Sequence, residues 1–158
     1  MSLTTTMLSP KGRLGASGFR NAALILIVIG TIFALLPLLS PSLVMLSLVS
    51  LILIYPWVVI WVKRLHDAGK SGWLFLLVLV LYLVASYAVS AWIGQQFGPP
   101  VEQTTDFTKM MEQMNEVARA TAVPSTIASV VISLAFVFGG NALLKSDPGP
   151  NAYGPAPA

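Results

Sequence analysis

The residues best suited to chemistry in this 158-residue chain lie in one short charged stretch, residues 63–73. It reads Lys-Arg-Leu-His-Asp-Ala-Gly-Lys-Ser-Gly-Trp and holds five ionisable side chains, including the only histidine of the chain. If a helix continues into it, Lys63, His66, Asp67 and Lys70 share one face at spacings of three and four, and Arg64 lies off that face. A histidine with a carboxylate suits acid–base chemistry, and the cations suit an anion.

The catalytic interpretation of His66 and Asp67 is weak on physical grounds. Side chains adjacent in a helix diverge by about 100°, so these two cannot hydrogen-bond as a catalytic pair does. The sequence contains no cysteine, no nucleophile elbow, no phosphate loop and no metal-ligand cluster. We therefore predict no catalytic residue, no metal site and no cofactor. An enzyme that modifies lipids through His66 is kept as an alternative.

The composition places this stretch in a membrane protein. Hydrophobic residues make up 56% of the chain and charged residues only 9%, with a mean hydropathy of +0.80. Both fractions lie far from those of soluble domains. The chain is also too short for a bundle plus a sizeable soluble domain, so we predict one membrane domain and no nucleic-acid partner.

Four apolar runs are long enough to cross a bilayer, because about 20 residues at 1.5 Å per residue span about 30 Å. The predicted fold is all-α and polytopic, with transmembrane helices at 19–39, 42–62, 73–93 and 125–144. A secretory signal is the alternative for the first run. Its apolar core would be too long, and the exit lacks a small-residue cleavage pattern. Small residues spaced by four, such as Gly30 with Ala34 and Ala135 with Gly139, predict close contacts between helices.

The polar remainder of the chain is predicted to form two tails and one external segment. Residues 1–18 and 146–158 are read as tails, and 95–123 as an outer segment containing an amphipathic helix with methionines on its apolar face. Pro124 is expected to open the fourth span.

The distribution of basic residues predicts the orientation. With both termini in the cytoplasm, seven basic residues face inward and two, Lys109 and Arg119, face outward. That excess follows the positive-inside rule and agrees with an even number of spans. Residues 63–73 are therefore expected on the cytoplasmic side.

Three motifs in this chain, in the same order, resemble those of the domain of unknown function 805 family. Residues 63–73 are similar to its basic pair, Leu-His-Asp, basic, Ser, small residue and Trp. Gly12-Arg13 resembles its motif before the first helix, and residues 148–155 resemble its Pro-Gly-x-Asn-x-Tyr-Gly-Pro tail. The resemblance implies a small multi-pass protein of the bacterial inner membrane. The family's activity is unassigned, so the resemblance implies no reaction.

The resemblance brings all three motifs to the cytoplasmic side, where they could form one composite site. Its members would bind an anion or lipid headgroup, or would clasp the chain together: Arg13, Lys63, Arg64, His66, Asp67, Lys70, Ser71, Trp73, Asn151 and Tyr153. In the clasp alternative, His66 bonds to the tail's backbone and Asp67 neutralises Arg13 or Arg64. In another alternative, Lys63 and Lys70 flank Asp67 in exposed ion pairs.

The leading functional hypothesis is a structural or regulatory component of the envelope that associates with membrane lipids, including anionic ones. A membrane-protein partner or a second copy of the chain is a further candidate partner. A channel or transporter component for small solutes is the main alternative, because prolines interrupt the predicted spans.

Overall fold

The computed structural model describes residues 3–157, so residues 1, 2 and 158, at the ends of the predicted tails, lie outside it. Within that range there is no β-strand, only an isolated bridge between Asn151 and Gly154. The α-helices are α1 (Leu3–Leu8), α2 (Ala16–Leu39), α3 (Val44–Ser47), α4 (Ile54–Asp67), α5 (Phe75–Phe97) and α6 (Phe107–Leu143). Three 3-10 helices occupy Pro41–Leu43, Leu48–Leu53 and Gly72–Leu74.

Four helical segments are long and apolar enough to cross a membrane, which confirms the predicted all-α class with four spans. They are Ala16–Leu39, Leu48–Asp67, Gly72–Phe97 and Phe107–Leu143. Large apolar side chains such as Val28, Leu51, Leu83 and Ile127 are exposed on their outer faces. Exposed apolar surface of this extent is stable in lipid and not in water.

The second span does not begin as one α-helix at residue 42. Short 3-10 and α turns lead to Leu53, and regular α-helix starts only at Ile54. Pro56 explains this boundary, because its ring and missing N–H are tolerated in the first turn of a helix but not further inside. The change from 3-10 to α geometry falls within the region where the sequence predicts a bend.

The fourth span is longer than predicted, because the structure joins it to the amphipathic segment. Asp106 caps α6 by accepting the N–H of Thr108 at 2.9 Å, and the helix then continues through Pro124 to Leu143. Proline is tolerated at this point because it removes a single hydrogen bond near the start of the apolar run. At 1.5 Å per residue α6 is about 55 Å long, so its first turns extend beyond a hydrocarbon layer of about 30 Å.

The core between the spans is built around Trp61. Its ring lies edge-on to Phe19, with centroids 4.8 Å apart, and packs directly over Gly140. The close helix contact therefore involves Gly140, whereas Gly30 and Gly139, which the spacing of small residues favoured, have no neighbour within 4 Å of an added Cβ. Spacing alone does not show which face of a helix meets a partner.

We predict that Gly140→Ala destabilises the protein by about 1–3 kcal/mol, because small-to-large changes in a packed core cost that much. A Cβ at Gly140 would lie only 2.5 Å from Cη2 of Trp61. Gly139→Ala is the matched control. It adds the same methyl group to open space and should be neutral or stabilising. Unfolding in mixed detergent micelles, followed by circular dichroism, measures both; equal values for the two variants would contradict the contact.

Both terminal segments and the turn between α4 and α5 meet at one end of the bundle. The N–H of Leu14 donates to the carbonyl of Lys63 at 3.1 Å, and that of Asp147 donates to the carbonyl of Asp67 at 2.8 Å. We call this the clasp end. It contains residues 63–73 together with the two other motifs.

Candidate functional site

The position of the charged side chains at the clasp end is set by how α4 stops. The N–H of Lys70 donates to the carbonyl of Leu65 at 2.8 Å, and that of Gly69 to the carbonyl of His66 at 3.1 Å. These bonds, with Gly69 at φ +66, form the Schellman ending that favours glycine. The helix therefore ends at Asp67, and Lys70 does not extend the one-faced stripe that the spacing predicted.

The centre of the site is a buried ionic group that we call the clasp, made of Arg13, Arg64 and Asp67. One carboxylate oxygen of Asp67, Oδ1, lies 3.1 Å from Nη2 of Arg13, and the other, Oδ2, lies 2.7 Å from Nη1 of Arg64. The three residues are at most 2% exposed. Arg64 was expected to lie off the helix face that carries Asp67. That expectation is corrected, because residues three apart in a helix are neighbours and the long arginine side chain reaches the carboxylate. The alternative of exposed pairs with Lys63 and Lys70 is corrected too.

Arg13 ties the C-terminal tail to this carboxylate. Its Nε donates to Oδ1 of Asp67 at 3.2 Å, and its Nη2 also reaches the carbonyls of Asp67 and Asp147. Its Nη1 donates to the carbonyls of Gly149 and Gly154. A guanidinium group has five donors in a fixed plane, and here all three of its nitrogens are engaged by protein oxygens.

Arg64 completes the end of α6 in the same way. Its Nε donates to Oδ1 of Asn141 at 2.8 Å, and its Nη2 donates to the carbonyls of Asn141 and Leu144. Its Nη1 reaches Oγ of Ser146 at 3.1 Å in addition to Asp67. The last carbonyls of a helix have no partner within the helix, so a cation there supplies donors and opposes the helix dipole.

His66 sits beside the clasp and contacts both terminal segments. Its Nδ1 lies 3.3 Å from the carbonyl oxygen of Gly12, which can only accept, so Nδ1 carries the proton. Its ring stacks on Tyr153, with centroids 3.8 Å apart and planes 3° from parallel. The side-chain amide of Asn151 donates to the carbonyl of His66 at 3.0 Å. The expected bond from His66 to the tail's backbone is corrected, because the imidazole bonds to the backbone before α2 and contacts the tail by stacking on Tyr153.

Lys63 is also buried, although it lies away from Asp67. It is 2% exposed, and its Nζ donates to the carbonyl of Thr5 at 2.9 Å. The hydroxyl of Tyr55 donates to the carbonyl of Leu8 at 2.8 Å. The two bonds fasten α1 along α4, so the first helix of the chain is docked against the bundle.

Three of the predicted site residues lie at the surface and not in the buried network around the clasp. Lys70, Ser71 and Trp73 are exposed, with Trp73 80% exposed. Ser71 caps the 3-10 helix Gly72–Leu74 by accepting the N–H of Trp73. These residues face outward, at the boundary between the charged turn and the apolar start of α5.

Comparison with known proteins identifies the family of this chain. Residues 7–155 match the sequence profile of the family described as "Protein of unknown function (DUF805)". The chain belongs to this family. No curated protein and no solved structure gives a significant match.

In this DUF805 protein, the three motifs behind the resemblance are the segments that meet at the clasp. Gly12 and Arg13 come from the segment before α2, Asp67 from the end of α4, and Gly149 and Gly154 from the tail. Their side chains and carbonyls contact one another directly. Chain segments more than fifty residues apart are held in one hydrogen-bonded group.

The contribution of α6 to the network around the clasp was not predicted from the sequence. Asn141 accepts from Arg64 and also donates through Nδ2 to the carbonyl of Ala16 at 3.4 Å. Ser146 and the backbone of Asp147 complete the network. The available signal was Asn141 itself, an amide side chain at the end of an apolar helix, since a polar group there needs a partner.

The geometry decides what this site can do chemically. Both carboxylate oxygens of Asp67 are bound by arginines, so this carboxylate does not orient His66 for acid–base catalysis. Each nitrogen of the two guanidinium groups already donates to protein oxygens. At the centre of the site, the arrangement therefore favours a clasp that holds the chain together over a site for an external anion. Any contact with an external anion depends on the exposed cations around it.

Proposed function

We propose that this DUF805 protein is a structural or regulatory component of a bacterial inner membrane that associates with anionic lipids through its clasp end. The observation that carries the proposal is the division of the cations at that end into two groups. Arg13, Lys63 and Arg64 are buried and bonded internally, whereas four others are exposed and have no ion pair or hydrogen bond from their side chains to the described chain: Lys11, Arg20, Lys70 and Lys145.

The two ends of the molecule differ in charge. The clasp end carries seven basic and two acidic side chains, while the other end carries Lys109 and Arg119 against four acidic ones, Glu102, Asp106, Glu112 and Glu116. Excess positive charge is typical of cytoplasmic segments, so the proposed orientation puts the clasp and both tails in the cytoplasm. There the free cations would meet the leaflet that is rich in anionic lipid.

A structural role also fits the way the clasp is built. Buried ionic groups with complete hydrogen bonding fix one arrangement of the chain, and here they fix both tails to the α4–α5 turn. The exposed cations are thereby held on a rigid end of the bundle. Flexible tails would present the same charges without a defined spacing.

The lipid preference of Lys70→Gln/Lys145→Gln tests the proposal. Each surface cation contributes about 1 kcal/mol toward an anionic leaflet, so we expect the preference for phosphatidylglycerol over phosphatidylcholine to fall roughly tenfold or more. The measurement is quenching of tryptophan fluorescence by brominated forms of the two lipids in vesicles. A Trp92→Phe background leaves Trp73 as the exposed tryptophan at the clasp end.

Lys109→Gln/Arg119→Gln is the matched control, because it removes two exposed cations from the opposite end. It should leave the quenching at Trp73 unchanged. If both double variants keep the parent's preference for phosphatidylglycerol, the proposed lipid association is refuted.

A further inference from the structure

A groove of about 710 Å³ runs beside the clasp between the end of α4 and the start of α5. On α4 it is lined by Val58, Val62 and His66, which share one face at a spacing of four. On the α5 side the lining residues run from Ser71 to Leu79 and include Leu76. Both segments belong to the spans, so the groove opens towards lipid.

The groove is polar at one end and apolar along the rest of its length. Ser71, His66 and Tyr153 lie at the polar end, which we call the mouth. Oγ of Ser71 accepts the N–H of Trp73 at 3.4 Å, which leaves its own proton free to donate. The hydroxyl of Tyr153 has no hydrogen-bond partner among residues 3–157, and its ring is held in place by the stack on His66.

An exposed cation lies next to the mouth in the chain. Lys70 precedes Ser71 in the chain, is exposed, and has no side-chain partner in the part of the chain that the structure describes. Gly72 lies against α4, since an added Cβ would meet Val62 at 2.9 Å and Nε2 of His66 at 3.1 Å. The mouth is therefore fixed to α4 by close packing as well as by the clasp.

We infer that this groove binds one acyl chain of an anionic phospholipid whose phosphate is held at the mouth by Lys70 and Ser71. The inference rests on the proposed lipid association and assigns it a site. Lys70 supplies the positive charge, and Ser71 and Tyr153 supply hydroxyl donors that a phosphate accepts. The apolar walls from Val58 to Val62 and from Phe75 to Leu79 take the chain.

The order of polar and apolar surface favours a phospholipid over a partner helix. Among the described residues that line the groove, hydroxyl groups occur only at the mouth, beside Trp73, whose ring type favours the membrane interface. From His66 to Val58 the groove extends about 12 Å towards the membrane interior, at 1.5 Å per residue. A phospholipid likewise has a charged phosphate joined to an apolar acyl chain. Its phosphate would meet the polar mouth when its chain lies along the apolar walls.

Native mass spectrometry of the purified full chain, equilibrated with phosphatidylglycerol or phosphatidylcholine of identical acyl chains, tests the inference. The parent protein should retain one phosphatidylglycerol. Leu76→Trp fills the groove and should lower this occupancy roughly tenfold, because excluding even two methylene groups from an apolar site changes affinity by about that factor. Leu77→Trp is the matched control, since Leu77 is 57% exposed and does not line the groove.

Lys70→Gln should retain the lipid but lose its headgroup preference, by roughly fivefold, because a single surface cation is worth about that much. Retention by Leu76→Trp equal to that of Leu77→Trp, or equal retention of both lipids by the parent, would overturn the groove site. The broader lipid association has its own readout, the quenching at Trp73. A lost site with an intact quenching preference would refute this inference alone.

Discussion

Asp67→Asn is expected to destabilise the protein by about 3–5 kcal/mol, the largest effect of any single substitution considered for this chain. The carboxylate is fully buried and neutralises Arg13 and Arg64. Asparagine has the same shape but no charge, and its amide N–H would face a guanidinium donor. Two buried cations would then remain without a counter-ion. Unfolding in mixed detergent micelles, followed by circular dichroism, gives the change in free energy of unfolding.

Glu102→Gln is the matched control for that measurement. It makes the same carboxylate-to-amide change at an exposed residue, so its effect should stay within about 0.5 kcal/mol. The prediction fails if Asp67→Asn unfolds at the same detergent composition as Glu102→Gln. That result would mean that the ionic group contributes little beyond the hydrogen bonds around it.

Arg13→Lys is expected to destabilise the protein by about 2–4 kcal/mol although it keeps the charge. The guanidinium of Arg13 joins Asp67 to the carbonyls of Asp147, Gly149 and Gly154. An ammonium group has three donors around one nitrogen and cannot reach oxygens spread across this plane. The half-buried carbonyls of Asp147 and Gly149 would lose this donor, at about 1–3 kcal/mol for each group left unsatisfied.

The loss should be local as well as global. Amide hydrogen exchange measured by mass spectrometry should show faster exchange across residues 147–154 in Arg13→Lys, because the tail is the segment that this side chain holds. Arg20→Lys makes the same substitution at an exposed arginine and should leave exchange and stability as in the parent. Unchanged protection of the tail in Arg13→Lys would show that other contacts, such as Asn151 with His66, suffice to hold it.

These two predictions concern different features of the clasp. Asp67 supplies the negative charge that neutralises two buried arginines. Arg13 supplies a planar set of donors that binds carbonyls of the tail. If both hold, residues 63–73 serve mainly as a structural junction. The proposed interaction with lipid would then involve the exposed residues of the same stretch, Lys70 and Ser71 among them.

Much of the fold could be predicted from the pattern of apolar residues. A run of about 20 apolar residues has few alternatives to a transmembrane helix, since backbone groups in lipid must be bonded within the segment. The boundaries were less predictable. Pro56 marked where α4 begins, but Pro124 did not begin a new helix. One missing hydrogen bond does not break α6, because the cap at Asp106 and the apolar run both favour a continuous helix.

The candidate site was predictable in membership, whereas the pairing of Asp67 with Arg13 or Arg64 was only one of the alternatives that the sequence left open. Residue types and motif order placed Arg13, His66 and Asp67 in one region. Helical spacing favoured Lys63 and Lys70 as partners of Asp67. Spacing describes α4 alone, so it does not include the guanidinium of Arg13, which belongs to another segment. Gly140 beside Trp61 and Asn141 beside Arg64 show the same limit, because both contacts form between helices.

The sequence by itself therefore determined that the charged residues 63–73 lie at a membrane boundary, between two apolar spans, with a glycine turn after Asp67. Local rules of hydropathy, helix length and turn chemistry are sufficient for that. Only the tertiary structure decided that Arg13, Arg64 and Asp67 form one buried group sealed by the carbonyls of the tail. The physical reason is that a buried charge must find its partner wherever the folded chain places one, and that partner is chosen by the packing of the whole bundle.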